Sequence, residues 1–388
     1  MRHNPTRRQF LQGAAALAGA SALGLLRPGR LLAGPKNPTS PVSIARCRSY
    51  DPDDVLGRLN SMADQLGGLG KLVSGKTVAV KVNLTGDVRQ KAVGLPSGRT
   101  YHVHPNVVLA AATLLDRAGA KRIRFLEGTY QLTPLEEYVQ GADWDLKALA
   151  ALKAKVEFED TRNLGQGMRY TEVKVPGGGS LYPAYLLNHS YVDCDVNVSL
   201  AKLKNHATAG VTLSMKNNFG ITPTALYAQH DHDEKSQSAR VHVFHEGKER
   251  PADGVPQELD PNGPRRPSYR VPRVTADMVG IRPIDLAIID GVETVSGGEG
   301  PWLDLKAQQP GLFLMGRNPV CTDAVATTVM GCDPLAKAAT GPFPGDNHLA
   351  MAADLGLGTN DPKEIEVVGL SLEEARFPFR WEPAKRND

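Results

Sequence analysis

The chain has 388 residues, a length that suits one large or two interlocked α/β domains. Hydrophobic residues at 41% and charged residues at 22% exclude a largely disordered chain and a polytopic membrane protein. The formal net charge of +3 resides in the first 33 residues, which hold five arginines and no acid. Without them acids slightly outnumber bases, so charge gives no case for a nucleic-acid partner.

Residues 1–33 read as a signal peptide: a basic start, an apolar run from Gly13 to Leu26, and small residues near Ala33 that suit cleavage. Thr6-Arg7-Arg8-Gln9-Phe10-Leu11 resembles the twin-arginine export motif. About 14 apolar residues fall short of the roughly 20 that span a bilayer, so no stable membrane anchor is expected. The expected partner is the twin-arginine export machinery, and the expected location periplasmic or extracellular. Cys47, Cys194, Cys321 and Cys332 form no C-x-x-C pair, which argues against a local iron–sulfur or zinc-ribbon site. They leave room for one or two disulfides, though buried thiols suit Cys194, Cys321 and Cys332 better.

Residues 34–75 read as a Pro/Ser/Thr linker followed by a helix from Pro52 to Leu66. An alternating grammar then sets in: a strand over Thr77–Asn83, a helix with His104 at its cap, Pro105 in its first turn and Gly119 at its stop, then a strand over 121–128. A helix from Pro134 to Leu152 comes next, followed by the strand KVEFED and a hairpin around Gly177–Gly179. VDCDVNVSLAKLK reads as a further strand. Residues 222–283 are polar and Pro-rich without either periodicity, and read as an irregular insertion. The grammar resumes with a strand over Ile284–Asp290, the glycine loop SGGEGPW and the strand GLFLMG. A helix from Pro319 to Met330, one near His348–Leu355 and the strand EIEVVG complete the pass. The expected fold is α/β, with two interlocked lobes of mostly parallel sheet flanked by helices. The lobes span 76–206 and 207–370, the insertion lies within the second, and 371–388 form a tail.

The chemistry concentrates in SLAKLKNHATAGVTLSMKNNFG, Ser199–Gly220. A strand ends in Lys202, Lys204, Asn205 and His206, and a helix ends in Lys216 and Asn217 with Gly220 as its C-cap. Lys81 and Asn83 end an earlier strand in the same way. Ligands gather at the carboxyl ends of strands in open α/β sheets, so converging cations there indicate a small anionic ligand, a carboxylate or phosphate. Lys204 and His206 are the expected catalytic pair, with His206 as acid or base. Lys81, Asn83, Lys202, Lys216 and Asn217 are expected to bind substrate. His230, His232, His242 and His245 lie close together among acids, a pattern that can hold a divalent metal and equally fits a solvated polar loop. Glu127 and Asp290, at strand ends, are with His230 the candidate metal ligands. His102 and His104 are alternative ligands or capping residues. Glu293, also past a strand end, is a candidate of the same kind. Asp323 reads as a carboxylate stabilised in the first turns of its own helix. Ser296–Gly300 lacks the spacing of a phosphate-binding loop, and G-x-S-x-G and H-E-x-x-H are absent, which argues against the common hydrolases.

VAVKVN, HPNVVLAAATLLDRAGAKRIRFLEG, the Ser199–Gly220 block extended to Pro223, PIDLAIIDGVE, NPVCTDAVATTVMG and LGLGTNDPKEIEVVG together resemble the family known as domain of unknown function 362, over about residues 76–370. The lysine–histidine and KNNFG block carries most of that resemblance. Some relatives append a cysteine-rich ferredoxin module that this sequence lacks, so an electron-transfer role does not carry over, and the family offers no settled activity. The layout of two lobes with lysines and histidines at a cleft is also similar to that of nickel-pincer lactate racemases. The reading is an exported enzyme acting on a small anion. Its alternatives are a non-catalytic periplasmic anion-binding protein and a redox or cofactor accessory protein.

Overall fold

A computed structural model of the chain describes residues 37–129, 134–162, 169–227 and 240–381. The fold is α/β. Its frame is an eight-stranded sheet in the order β14-β1-β13-β10-β7-β2-β3-β4. The strands are β1 (Val42–Arg46), β2 (Thr77–Val82), β3 (Arg122–Glu127), β4 (Lys155–Asp160), β7 (Val196–Lys202), β10 (Leu286–Gly291), β13 (Leu312–Gly316) and β14 (Val367–Gly369). Pairing is parallel throughout except at β13, which runs antiparallel to both β1 and β10. Strands from 76–206 and from 207–370 thus join one sheet, meeting where β7 pairs with β10. Three two-stranded pairs lie outside it: β5 (Tyr170–Lys174) with β6 (Ala184–Asn188), β8 (Asn205–His206) with β9 (Gly210–Val211), and β11 (Thr294–Ser296) with β12 (Lys306–Gln308).

The helices that flank the sheet and the strand ends include α1 (Pro52–Gln65), α2 (Pro105–Arg117), α3 (Leu213–Asn218), α4 (Pro267–Ile281), α5 (Pro319–Val329) and α6 (His348–Asp354). Strand alternation divides the core into two layers. Val78, Val80, Val198, Leu200 and Ile288 face α1 and α2 through Val55, Leu59, Val107 and Leu115. Ala201, Ala287 and Ile289 face Leu213 and Met215 of α3, Val279 of α4 and Ala324 of α5. Each such buried Val, Leu or Ile contributes about 1.5–3 kcal/mol of transfer free energy. β7 is buried along all seven residues, as a parallel strand covered on both faces must be. Cys47, Cys194, Cys321 and Cys332 are all free thiols, the first three buried.

Local chemistry explains most element boundaries. The Asp51 carboxylate caps α1 by accepting from the Asp53 and Asp54 N–H groups, with Pro52 in the first turn. His104 caps α2, its Nδ1 accepting from the Asn106 N–H at 3.1 Å. The stretch expected to be one helix over 134–152 is two, Leu135–Gln140 and Leu146–Ala150, separated by Asp143 at φ +59°. β1 lies in what reads as a linker: five residues beside Pro41 give too short an apolar run to stand out, and pairing with β13 and β14 holds them.

Helix α4 lies inside 222–283, where irregular structure is expected. Its buried residues run almost without interruption from Arg270 to Ile281, so the sequence shows no amphipathic stripe. Pro272 sits inside it and cannot donate to the Ser268 carbonyl, but the Asp346 N–H bonds that carbonyl at 3.1 Å. A neighbouring loop thus satisfies what the proline leaves open. In the expected tail, the Phe377 and Phe379 N–H groups bond the Val329 and Met330 carbonyls at the end of α5.

Candidate functional site

The lysines at the strand ends divide by the alternation of their strands. Lys81 follows Ala79 and meets α3, whereas Lys202 follows Val198 and Leu200 to the opposite face, near α2 and Tyr50. Each Nζ can donate three hydrogen bonds, so counting acceptors shows which lysines are already occupied. Lys81 Nζ donates to Glu127 Oε2 at 2.6 Å, the Val82 carbonyl at 3.0 Å and Asn217 Oδ1 at 3.3 Å. Lys202 Nζ donates to Asp290 Oδ2 at 2.8 Å, the Gly98 carbonyl at 3.0 Å and Tyr50 Oη at 3.1 Å. Both are complete. Lys204 Nζ meets the Tyr101 and Glu299 carbonyls, each at 2.7 Å, which leaves one position open. The Lys216 Nζ makes no hydrogen bond or ion pair among the described residues. Its Nζ lies 4.0 Å from the Phe219 ring centroid, over the ring face.

The carboxylates at the strand ends are engaged as counter-ions. Glu127 pairs with Lys81. Burial pulls the lysine pKa down and pushes the glutamate up, and their attraction opposes both shifts. Asp290 accepts from Lys202, from Tyr50 Oη and from the His104 and Val292 N–H groups. Glu293 pairs with Arg99. His104 stacks on Tyr50 at 3.7 Å, and burial lowers its pKa to about 4. These groups brace strand ends and caps. His230, expected as a metal ligand with Glu127 and Asp290, lies outside the described residues, as does His232. Among the described residues no three His, Cys, Asp or Glu side chains gather as a metal shell.

Asn217 also serves the frame. Its Nδ2 donates to the Lys81 and Leu200 carbonyls and to Ser199 Oγ, tying α3 across β2 and β7. Asn83 is buried with Oδ1 unsatisfied. Gly220, expected as a helix C-cap, follows the actual cap Phe219 and does not have positive φ. It is glycine for another reason: a Cβ there would come within 2.9 Å of Lys81 Cε.

His206 ends the first strand of the small β8–β9 hairpin, and Gly210, its pairing partner, opens the second strand at φ +85°. A Cβ at Gly210 would lie 2.5 Å from the Pro342 carbonyl, so both conformation and space require glycine. His206 Nδ1 accepts from the Thr208 N–H at 3.2 Å and the Ala209 N–H at 3.4 Å. Backbone N–H groups can only donate, so the ring proton of neutral His206 sits on Nε2. Burial holds its pKa well below the usual histidine value, and nearby Lys216 lowers it further. His206 is thus a neutral imidazole that presents an N–H. Its other neighbour, Glu299, approaches Nδ1 at 3.6 Å and accepts from the Ala207 N–H at 2.8 Å. The glycine loop around Ser296–Gly300 therefore supplies a carboxylate and a carbonyl to the site, in place of a phosphate cradle.

Two further histidines join Lys216 and His206. His245 packs against Phe219 at 5.4 Å, and His348 against Phe343 at 5.8 Å. Burial, followed by the field of Lys216, lowers both to about 3. His245 belongs to the histidine cluster visible in the sequence. His348, Glu299 and Arg240 come from distant segments and carry no local signature. Burial drives Lys216 itself from 10.5 to about 7; Glu299 opposes the shift, and Arg240 and Lys81 add to it. Lys204 is likewise lowered, chiefly by burial, with Lys202, Lys216 and Lys81 adding to the effect.

Helix α3, which carries Lys216, is aimed by an unusual start. Leu213 has φ +46°, a left-handed conformation that costs a non-glycine residue about 1–3 kcal/mol. Asp323 holds that start: Oδ1 accepts from the Ser214 N–H at 2.9 Å and its Oγ at 2.6 Å, and Oδ2 from the Met215 N–H at 2.8 Å. Asp323 lies beyond the first turn of α5, so it serves another helix rather than its own. Burial pushes its pKa up to about 7. Lys204, His206 and Lys216 thus form one electrostatically coupled cluster with His245 and His348, and Glu299 acts on both lysines. Such a cluster suits a small anion.

Comparison with known proteins agrees with the twin-arginine motif: residues 4–24 match the signal sequence of that export pathway, which sends proteins across the membrane to the periplasm or beyond. No helix among the described residues is long and apolar enough to cross a membrane. Residues 78–328 match the family described as Domain of unknown function (DUF362). The chain is 25% identical over 348 residues to the thylakoid-associated protein sll1697 of Synechocystis sp., covering 87% of this chain and 89% of that protein. A crystal structure of a Thermotoga maritima protein aligns at 14% identity and a TM-score of 0.34, with 66% of this chain covered. This chain spans only 53% of that one, about half its length.

Proposed function

Given that the chain belongs to the DUF362 family and carries a twin-arginine signal sequence, we propose that it is an exported enzyme acting on a small carboxylate- or phosphate-bearing anion bound by Lys204, His206 and Lys216. The observation that carries this reading is the unmatched cation. Lys81 and Lys202 have carboxylate partners and full sets of acceptors, whereas Lys216 has neither among the described residues. A ligand anion would supply the missing partner, Lys204 would add its open position, and the His206 Nε2–H would donate a third bond. The reading extends from binding to catalysis because an amine that titrates near 7 exchanges its proton readily at neutral pH. In this arrangement Lys216 moves the proton and His206 polarises the substrate.

The test is binding of oxalate, measured by calorimetry on the mature protein and on Lys204→Ala and His206→Ala, with circular dichroism to establish folding. Folded variants that no longer bind oxalate support the reading; folded variants with unchanged affinity refute it. A set of small carboxylates and phosphates incubated with the protein and recovered unchanged would assign a non-catalytic binding protein instead.

A further inference from the structure

We propose that Lys216 is a carbonyl-reactive amine that condenses with the oxo group of a small 2-oxo carboxylate, forming an imine. This rests on the anion reading above and names the substrate class for the same site. The placement of Lys216 supports it. The Nζ has no hydrogen-bond or ion-pair partner among the described residues and lies over the Phe219 ring at 4.0 Å, and the residue is half-buried, so the ring packs one side of the amine without the residue being sealed from solvent. Its helix is fixed at both ends, by Asp323 on Ser214 and Met215 and by Asn217 on β2 and β7. Lys204 and His206 lie in the same field, and their open position and Nε2–H suit the carboxylate and the carbonyl oxygen respectively.

The chemistry balances without a further reagent. Neutral Lys216 attacks the carbonyl carbon, and the C–N bond forms as the carbonyl π bond opens. The two amine protons then leave with the former carbonyl oxygen as water, giving C=N. The His206 Nε2–H bonds the oxygen as charge develops on it. An ordinary lysine is almost wholly protonated at neutral pH and a poor nucleophile. Burial and neighbouring cations remove that obstacle at Lys216, which at pH 7 holds about a thousandfold more free amine than a surface lysine.

The experiment is reductive trapping. The mature protein is incubated with pyruvate and sodium cyanoborohydride, its intact mass is measured, and the modified lysine is located by peptide mapping. The expected result is one adduct, equal to pyruvic acid less one oxygen, on Lys216. Its labelling should be more than about tenfold faster than at any other lysine and suppressed by oxalate. Lys216→Arg should lose the adduct, and the wild-type map decides the matter whether or not that variant folds. No adduct, or adducts scattered over lysines and insensitive to oxalate, would overturn the inference. If oxalate still binds in that case, only the imine falls; if oxalate does not bind either, the anion reading falls with it.

Discussion

Oxalate affinity should depend on pH through Lys216. The free protein holds this lysine near 7 because burial, Arg240 and Lys81 outweigh Glu299, and a bound dianion would restore its charge. The ligand then competes with deprotonation, so the affinity falls about tenfold for each pH unit above 7. Between about pH 6 and pH 9 the loss is about 90-fold, or roughly 2.7 kcal/mol, and any proton taken up by Lys204 steepens it. The neighbouring histidines do not confound the range, since His245 and His348 titrate near 3 and His206 well below its usual value. Asp323 does titrate near 7, and it holds the helix that carries Lys216. Lys216→Arg separates the two: it keeps a charge at every pH and leaves Asp323 in place. Calorimetric titration across the range should therefore show the inflection in the wild type and a flat profile in Lys216→Arg. A flat wild-type profile, or an inflection that survives in Lys216→Arg, would refute the assignment to Lys216.

The low pKa of Lys216 also bears on stability. Between its folded value near 7 and its ordinary value of 10.5, the unfolded chain binds more protons, so stability rises with pH through that window, by at most about 5 kcal/mol. Lys216→Met should melt higher than wild type at pH 7 and lose this dependence; thermal melts that show no such difference would count against a desolvated, partly neutral amine. The Lys202–Asp290 pair, fully buried, should behave as frame. Asp290→Ala should cost about 3–5 kcal/mol in urea unfolding by leaving an unpaired buried cation, whereas Lys202→Met with Asp290→Leu should recover part of the loss, the remainder reflecting the His104 and Val292 N–H groups left without an acceptor. Equal losses in the single and double variants would contradict that role.

The sequence makes the sheet and its helices legible wherever one residue type answers one local need. Val recurs at every second position of β2, His104 and Pro105 open α2, and Asn318 caps α5 by accepting from the Val320 and Cys321 N–H groups. It fails where tertiary contacts replace local signals. Helix α4 tolerates Pro272 because Asp346 satisfies the carbonyl that the proline abandons, and β1 is held by two partner strands. The Ser199–Gly220 block shows in the sequence that Lys202, Lys204, His206 and Lys216 lie close along the chain. Composition alone does not show that Lys81 and Lys202 face opposite ways, or that Glu127 and Asp290 are their counter-ions. Nor does it show that Asp323, 109 residues from Ser214, aims the helix of Lys216. Those facts depend on strand alternation and on contacts between distant segments.

The most direct test of the central claim, a half-buried lysine with no ion-pair partner among the described residues that awaits an anion, is proton uptake on binding. Calorimetry of oxalate binding at about pH 8, in two buffers of different ionisation enthalpy, counts the protons taken up. A lysine near 7 that becomes fully charged takes up about 0.9 proton per oxalate, and more if Lys204 also gains charge. Binding with no proton uptake would contradict the account.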